Sequence, residues 1–224
     1  MASTMRKPLL EFSVQRVSSR DEIAPEVFML RFERPWEFRA GQVVALRLEE
    51  GEPHRLYSLA GGENEKDAAV LFDLNPEGSL TPRLARLQPG DSLRVSHPFG
   101  FFTDDERPAW WLATGTGLAP FLSMVRSLDI RNKTLVHGGR GEASFYFQEE
   151  LSASLGARYI RCSSTGEGKG AYPGRLTAWL GAQEQLDPGL HYYLCGSAEM
   201  VVDVRDLLIS RGVPFEHVRA EIYF

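Results

Sequence analysis

The chain has 224 residues, 43% hydrophobic and 25% charged, with a formal net charge of −5. That is room for one large or two medium globular domains, and an acidic balance argues against nucleic-acid binding, which needs a basic face. Two cysteines, Cys162 and Cys195, are too few for an iron–sulfur cluster and are not spaced as a metal or redox pair.

The cysteines therefore read as buried thiols of a reducing compartment. No segment approaches the length of a bilayer span, and Met1 to Pro8 carries no apolar run. The expectation is a soluble cytoplasmic protein.

Residues 9–17 and 26–33 alternate apolar and polar, the pattern of half-buried antiparallel strands. Residues 42–48, the stretch from Arg55, residues 69–74 and residues 92–96 read as further strands. Residues 79–87 read as a short helix, with Ser79 as N-cap and Pro82 in the first turn. Many short strands with turns between them predict a barrel. An acidic, proline-containing stretch at 103–108 marks the boundary, giving domains 1–105 and 106–224.

Beyond it, strand and helix alternate. Ala109 to Ala113 is a continuous apolar run, as in a strand buried on both faces. Strands are predicted at 134–136, 157–162, 191–195 and 215–223, and helices at 118–128, 145–155, 175–180 and 198–211. This alternation predicts a parallel sheet with helices on both faces.

Five stretches carry candidate chemistry. Arg55-Leu56-Tyr57-Ser58 places a fixed cation, a flat aromatic and a hydroxyl together, which suits a ligand with a phosphate and a flat ring; alone it also fits an ordinary barrel strand. Thr114-Gly115-Thr116-Gly117-Leu118-Ala119-Pro120 follows a buried strand and opens a helix, where small residues let a pyrophosphate approach free N–H groups. Pro120 stands where a full G-x-G-x-x-G has its third glycine. Gly78-Ser79-Leu80-Thr81 is a second helix start, equally readable as a plain cap. Cys195-Gly196 ends a buried strand, so Cys195 faces either a ligand or the core. Glu221-Ile222-Tyr223-Phe224 packs into a core or covers a flat ligand. Gly166 to Gly170 mimics a phosphate loop but lacks the Ser/Thr for magnesium, and reads as a mobile loop.

These stretches in this order resemble the ferredoxin–NADP reductase family, over nearly the whole chain. Gly100-Phe101-Phe102 and the ending Ala220-Glu221-x-Tyr223-aromatic resemble its bacterial flavodoxin/ferredoxin reductases. The resemblance implies a Greek-key FAD barrel followed by an α/β NAD(P) domain. It implies that Arg55 holds the FAD phosphate, Leu56 and Tyr57 pack at the isoalloxazine, and Ser58 bonds near its N5. Gly78, Ser79, Leu80 and Thr81 would cradle the pyrophosphate, with Thr116 beside the flavin. Tyr223 and Phe224 would cover the flavin, so the C-terminus would move aside for nicotinamide. Gly115, Thr116, Gly117, Arg140, Ser163, Ser164, Arg175, Cys195 and Gly196 would receive the nucleotide, and Ser58, Cys195, Glu221 and Tyr223 would line the hydride-transfer site. No metal is implied.

One departure concerns the nucleotide. NADP-specific bacterial members show Ser-Arg where this chain has Ser163-Ser164. Arg140, Arg175 and nearby Lys169 remain for a 2′-phosphate, and no acidic residue stands there to bind a free ribose. The expectation is NADPH, with NADH as rival, and ferredoxin or flavodoxin as the partner of a monomer. Alternatives are a free-flavin reductase, an oxygenase reductase component, and a flavin electron-transfer subunit that does not oxidise nicotinamide.

Overall fold

A computed structural model describes residues 10–223. Six strands, β1 (Phe12–Ala24), β2 (Val27–Glu33), β3 (Val43–Arg47), β4 (Arg55–Ser58), β5 (Asp67–Asp73) and β6 (Ser92–Ser96), pair antiparallel in the order β4-β3-β6-β1-β2-β5. A bridge between Leu59 and Val70 joins the two ends of that order and closes the sheet into a barrel. Phe28, Leu30, Phe32, Leu46, Val70 and Leu93 fill its interior.

Alternation misjudged two of these strands. β1 runs on to Ala24, because irregularities at Val17/Ser19 and Glu22/Ala24 shift its register and break the period of two. The first residue of the expected strand, Leu9, lies outside the described residues. β2 is buried on both faces rather than one. Its outward Val27 and Met29 join the core of the second sheet.

The helix expected at 79–87 is a single turn, α1 (Thr81–Leu84). Its N-cap is Leu80, with no capping side chain, so Ser79 is not the cap. The Thr81 hydroxyl instead bonds Asn75, accepting from its N–H at 2.9 Å and donating to its carbonyl at 3.2 Å. Pro82 does sit in the first turn.

The second sheet is parallel throughout. It contains β7 (Ala109–Thr114), β8 (Lys133–Gly139), β9 (Tyr159–Ser163), β10 (Tyr172–Pro173), β11 (His191–Ser197) and β12 (Val218–Tyr223), in the order β10-β9-β8-β7-β11-β12. The helices are α2 (Ala119–Ser127), α3 (Gln148–Leu155), α4 (Leu176–Gly181) and α5 (Ala198–Ser210). Trp111 packs with Phe121 of α2 and Leu151 of α3 on one face. Leu112 packs with Leu180 of α4 and Val204 of α5 on the other. That is why the run at 109–113 has no polar alternation.

α3 starts at Gln148, not Phe145, because Phe147 is left-handed at φ 60° and breaks the helix there. β12 starts at Val218 after a turn of 3-10 helix at Phe215–His217, and the two-residue β10 has no sequence signal. Strand order reverses between β7 and β11, which opens a crevice at their C-terminal ends. Among the described residues no helix is long and apolar enough to cross a membrane.

Candidate active site

A cleft of about 1480 Å³ runs between the barrel and the C-terminal edge of the parallel sheet. Arg55, Leu56, Tyr57 and Ser58 of β4 form one wall. β4 pairs only with β3 in its sheet, so Arg55 and Leu56 are exposed while Ser58 is buried beside Val43. Tyr57 packs edge-on against Phe72 of β5 at 6.3 Å. Burial pushes its hydroxyl up to about 12, against the opposing charge of Arg55.

The opposite wall is the C-terminal strand. Ser58 Oγ donates to Glu221 Oε2 at 2.7 Å, joining residues 163 positions apart. Burial raises the Glu221 carboxyl, and the Ser58 hydrogen bond partly restrains it. Tyr223 lines the same cleft, and its buried hydroxyl has no hydrogen-bond partner. Burial holds that hydroxyl protonated, and the Glu221 charge adds to the effect. Cys195 is fully buried in the core and does not line the cleft. Burial and then Glu221 raise its thiol well above the usual value, so it is a thiol and not a thiolate.

The glycine turn divides its labour. Gly115 is left-handed at φ 56° with open space where a side chain would stand, so the backbone is accessible from the cleft. Gly117 and Gly196 answer to packing. A Cβ on Gly117 would lie 2.3 Å from the Cys195 carbonyl oxygen, and one on Gly196 would lie 2.2 Å from Thr114 Oγ1. Gly117→Ala is therefore expected to destabilise the fold by about 1–3 kcal/mol, the usual cost of overpacking. Thermal unfolding checks it, with an unchanged midpoint ruling the packing argument out.

Gly78, Ser79, Leu80 and Thr81 border the cleft near Arg55. Arg140, Ser164 and Arg175 line its far end. Ser163 does not: it is fully buried, and its hydroxyl donates to the Arg140 carbonyl at 3.1 Å. Lys169 is also outside the lining, and Phe224 lies outside the described residues.

Three acidic cleft residues, Asp73, Glu199 and Asp203, have no sequence motif. Thr116 Oγ1 donates to Asp73 Oδ2 at 2.9 Å. Glu199 Oε1 meets Arg175 at 3.0 Å, and Asp203 follows one helical turn later on α5. An aspartate closing an apolar strand and an acid in the first turn of a helix are the only local signals, and both are commonplace.

A dinucleotide fits this lining. Arg55 and Arg140 are exposed in the cleft without a carboxylate partner among the described residues, as anion binding requires. The open Gly115 and two cleft-lining tyrosines, Tyr57 and Tyr223, offer a backbone cradle and flat surfaces.

Residues 111–206 match the oxidoreductase NAD-binding domain family. The chain is 34% identical over 231 residues to ferredoxin–NADP reductase B of Sorangium cellulosum, covering 90% of this chain and 93% of that one. The chain belongs to the ferredoxin–NADP reductase family. It is also 36% identical over 193 residues to the flavodoxin/ferredoxin–NADP reductase of Escherichia coli, covering 75% and 77% of the two chains. This reductase shares its fold with a ferredoxin NADP+ reductase from Neisseria gonorrhoeae with bound FAD and NADP, at a TM-score of 0.87 and 23% identity over 95% of this chain and 99% of that one.

Proposed function

We propose that this reductase binds FAD and moves electrons between NAD(P)H and a small one-electron carrier, ferredoxin or flavodoxin, acting in trans. The observation that carries the reading is the Ser58–Glu221 hydrogen bond. It brings the Arg-x-Tyr-Ser strand and the C-terminal strand to one point, at the crevice where a parallel sheet receives its nucleotide. When bound, FAD supplies the redox chemistry, taking a hydride and releasing electrons singly.

The chain's own residues do the rest. Arg55 neutralises a phosphate, and Gly78 to Thr81 and Gly115 let backbone approach the pyrophosphate. Tyr57 and Tyr223 exclude water from a flat ring. Ser58 and Glu221 hold a positioned hydroxyl beside it. Residues 1–105 serve the flavin and residues 106–224 the nicotinamide nucleotide. Two free buried thiols fit a reducing cytoplasm, and we read the reductase as a monomer.

Arg83 is not free to meet an acidic carrier, since it pairs with Glu52 at 2.6 Å and Glu49 at 3.8 Å.

A second reading, the reductase component of an oxygenase using NADH, is favoured by Ser164 at the far end of the cleft. Glu199 bears on the same choice, because it competes for Arg175 with any 2′-phosphate. Both side chains are exposed, and such pairs are worth about 0–1 kcal/mol. Glu199→Gln is therefore expected to raise the NADPH-to-NADH ratio of kcat/KM about two- to fivefold. An unchanged ratio would remove Arg175 from nucleotide selection.

The test of function is anaerobic mixing of the flavin-loaded protein with NADPH and, separately, NADH, following flavin absorbance. Rapid bleaching confirms the reductase, and the faster nucleotide decides between the two readings. A protein that retains no flavin but consumes NAD(P)H when flavin is added is a free-flavin reductase. Retained flavin that neither nucleotide bleaches leaves an electron-transfer subunit.

A further inference from the structure

The Thr116–Asp73 hydrogen bond has no part in the reading above. Like Ser58–Glu221, it crosses the cleft from barrel to glycine turn, linking the end of β5 to the first turn after β7. Both residues line the cleft. Asp73 follows Phe72, whose ring packs on Tyr57, so the pair stands at the Tyr57 wall and not at the Arg140 end.

The chemistry of the pair is directional. An ionised carboxylate only accepts hydrogen bonds. Thr116 has one hydroxyl proton, and Asp73 takes it. The threonine oxygen then offers only lone pairs to the cleft. The second Asp73 oxygen, Oδ1, accepts no protein hydrogen bond among the described residues and leaves its charge facing the same space. That charge is felt locally: after burial, Asp73 is the cause that raises the hydroxyl of Tyr146, another lining residue.

We propose that Asp73 is a positioning residue that locks the Thr116 hydroxyl as an acceptor for a ring N–H of the bound flavin, while its own charge opposes the flavin's gain of electrons. The inference rests on the FAD reading given above. An imide N–H on a flat ring is the donor such an acceptor fits, and added negative charge on that ring is repelled by Asp73. Asparagine at 73 reverses both effects. Its amide can donate to Thr116, freeing the hydroxyl proton to point into the cleft, and its charge is gone.

The experiment is reductive titration of the FAD-loaded protein against a reference dye, for the parent, Asp73→Asn and Asp73→Glu. Asp73→Asn should favour the reduced flavin by about tenfold in equilibrium constant, as expected for one nearby charge in a partly solvated site. Asp73→Glu, which keeps the charge, should stay near the parent. An unchanged potential in Asp73→Asn overturns the inference, and if only the nicotinamide KM moves, the Thr116 acceptor serves the nucleotide's carboxamide instead. Should Asp73→Asn purify without flavin while Asp73→Glu retains it, the orienting role is supported. Loss of flavin from both overturns it, since shape and not charge then governs the position. A parent protein that binds no FAD brings down the functional reading itself, a result distinct from flavin bound at an unshifted potential.

Discussion

Ser58→Ala is expected to slow reduction by NAD(P)H about 10²–10³-fold with FAD still bound, the usual cost of removing one preorganised polar group, here the hydroxyl that holds the Glu221 carboxylate at the reaction centre. Ser58 is buried at the end of β4, and its hydroxyl is held on Glu221 at 2.7 Å. Alanine fits the same strand position, so the barrel persists. What changes is the electrostatics. Burial already raises the Glu221 carboxyl, and the Ser58 bond lowers it. That bond favours the ionised form, so its loss moves the carboxyl further up. Any limb of the pH–rate profile that follows Glu221 must then shift to higher pH. Stopped-flow flavin reduction across the acid to neutral range reads both effects. An unchanged rate with an unmoved limb would remove Ser58 from the chemistry.

The parts of this molecule that the sequence displays are those whose cause is local. The run at 109–113 is apolar because helices cover both faces of β7. The turn at 114–117 is glycine-rich because Gly115 is left-handed and Gly117 packs its backbone against that of Cys195. The Arg-x-Tyr-Ser strand shows its cation and aromatic in four residues. What stayed hidden depends on partners distant in the chain. Asp73 acquires meaning only from Thr116, 43 positions on. The burial of both faces of β2 depends on Val27 and Met29 meeting the second sheet. Cys195 faced either ligand or core by pattern, and the tertiary packing of β11 between β7 and β12 buried it. Ser79 is not the cap because the turn starts one residue later, at Leu80, and Pro82, third after Ser79, has no N–H for a Ser79 hydroxyl to accept.

Lys133→Met is expected to cost about 3–5 kcal/mol, the penalty for stranding one partner of a buried ion pair. For a chain of this size that corresponds to a fall of roughly 10 °C in thermal midpoint. Lys133 opens β8 and is fully buried, with Nζ 2.6 Å from Asp104 Oδ1. It also donates to the Arg107 carbonyl at 2.5 Å. Asp104 in turn accepts from Trp111 Nε1 at 3.3 Å and from the Glu106 N–H at 2.7 Å. These contacts fasten the connection between the last barrel strand and β7, so the pair anchors the segment that sets one sheet against the other. A lysine at a strand's first position reads as solvent-facing, and only Asp104, 29 residues earlier, makes its burial tolerable. The double variant Lys133→Met/Asp104→Asn should recover most of the loss, because no unpaired charge remains in the interior. Thermal unfolding of the two single variants and the double closes the cycle. If Lys133→Met alone unfolds with the parent midpoint, the pair contributes nothing to holding the two sheets together.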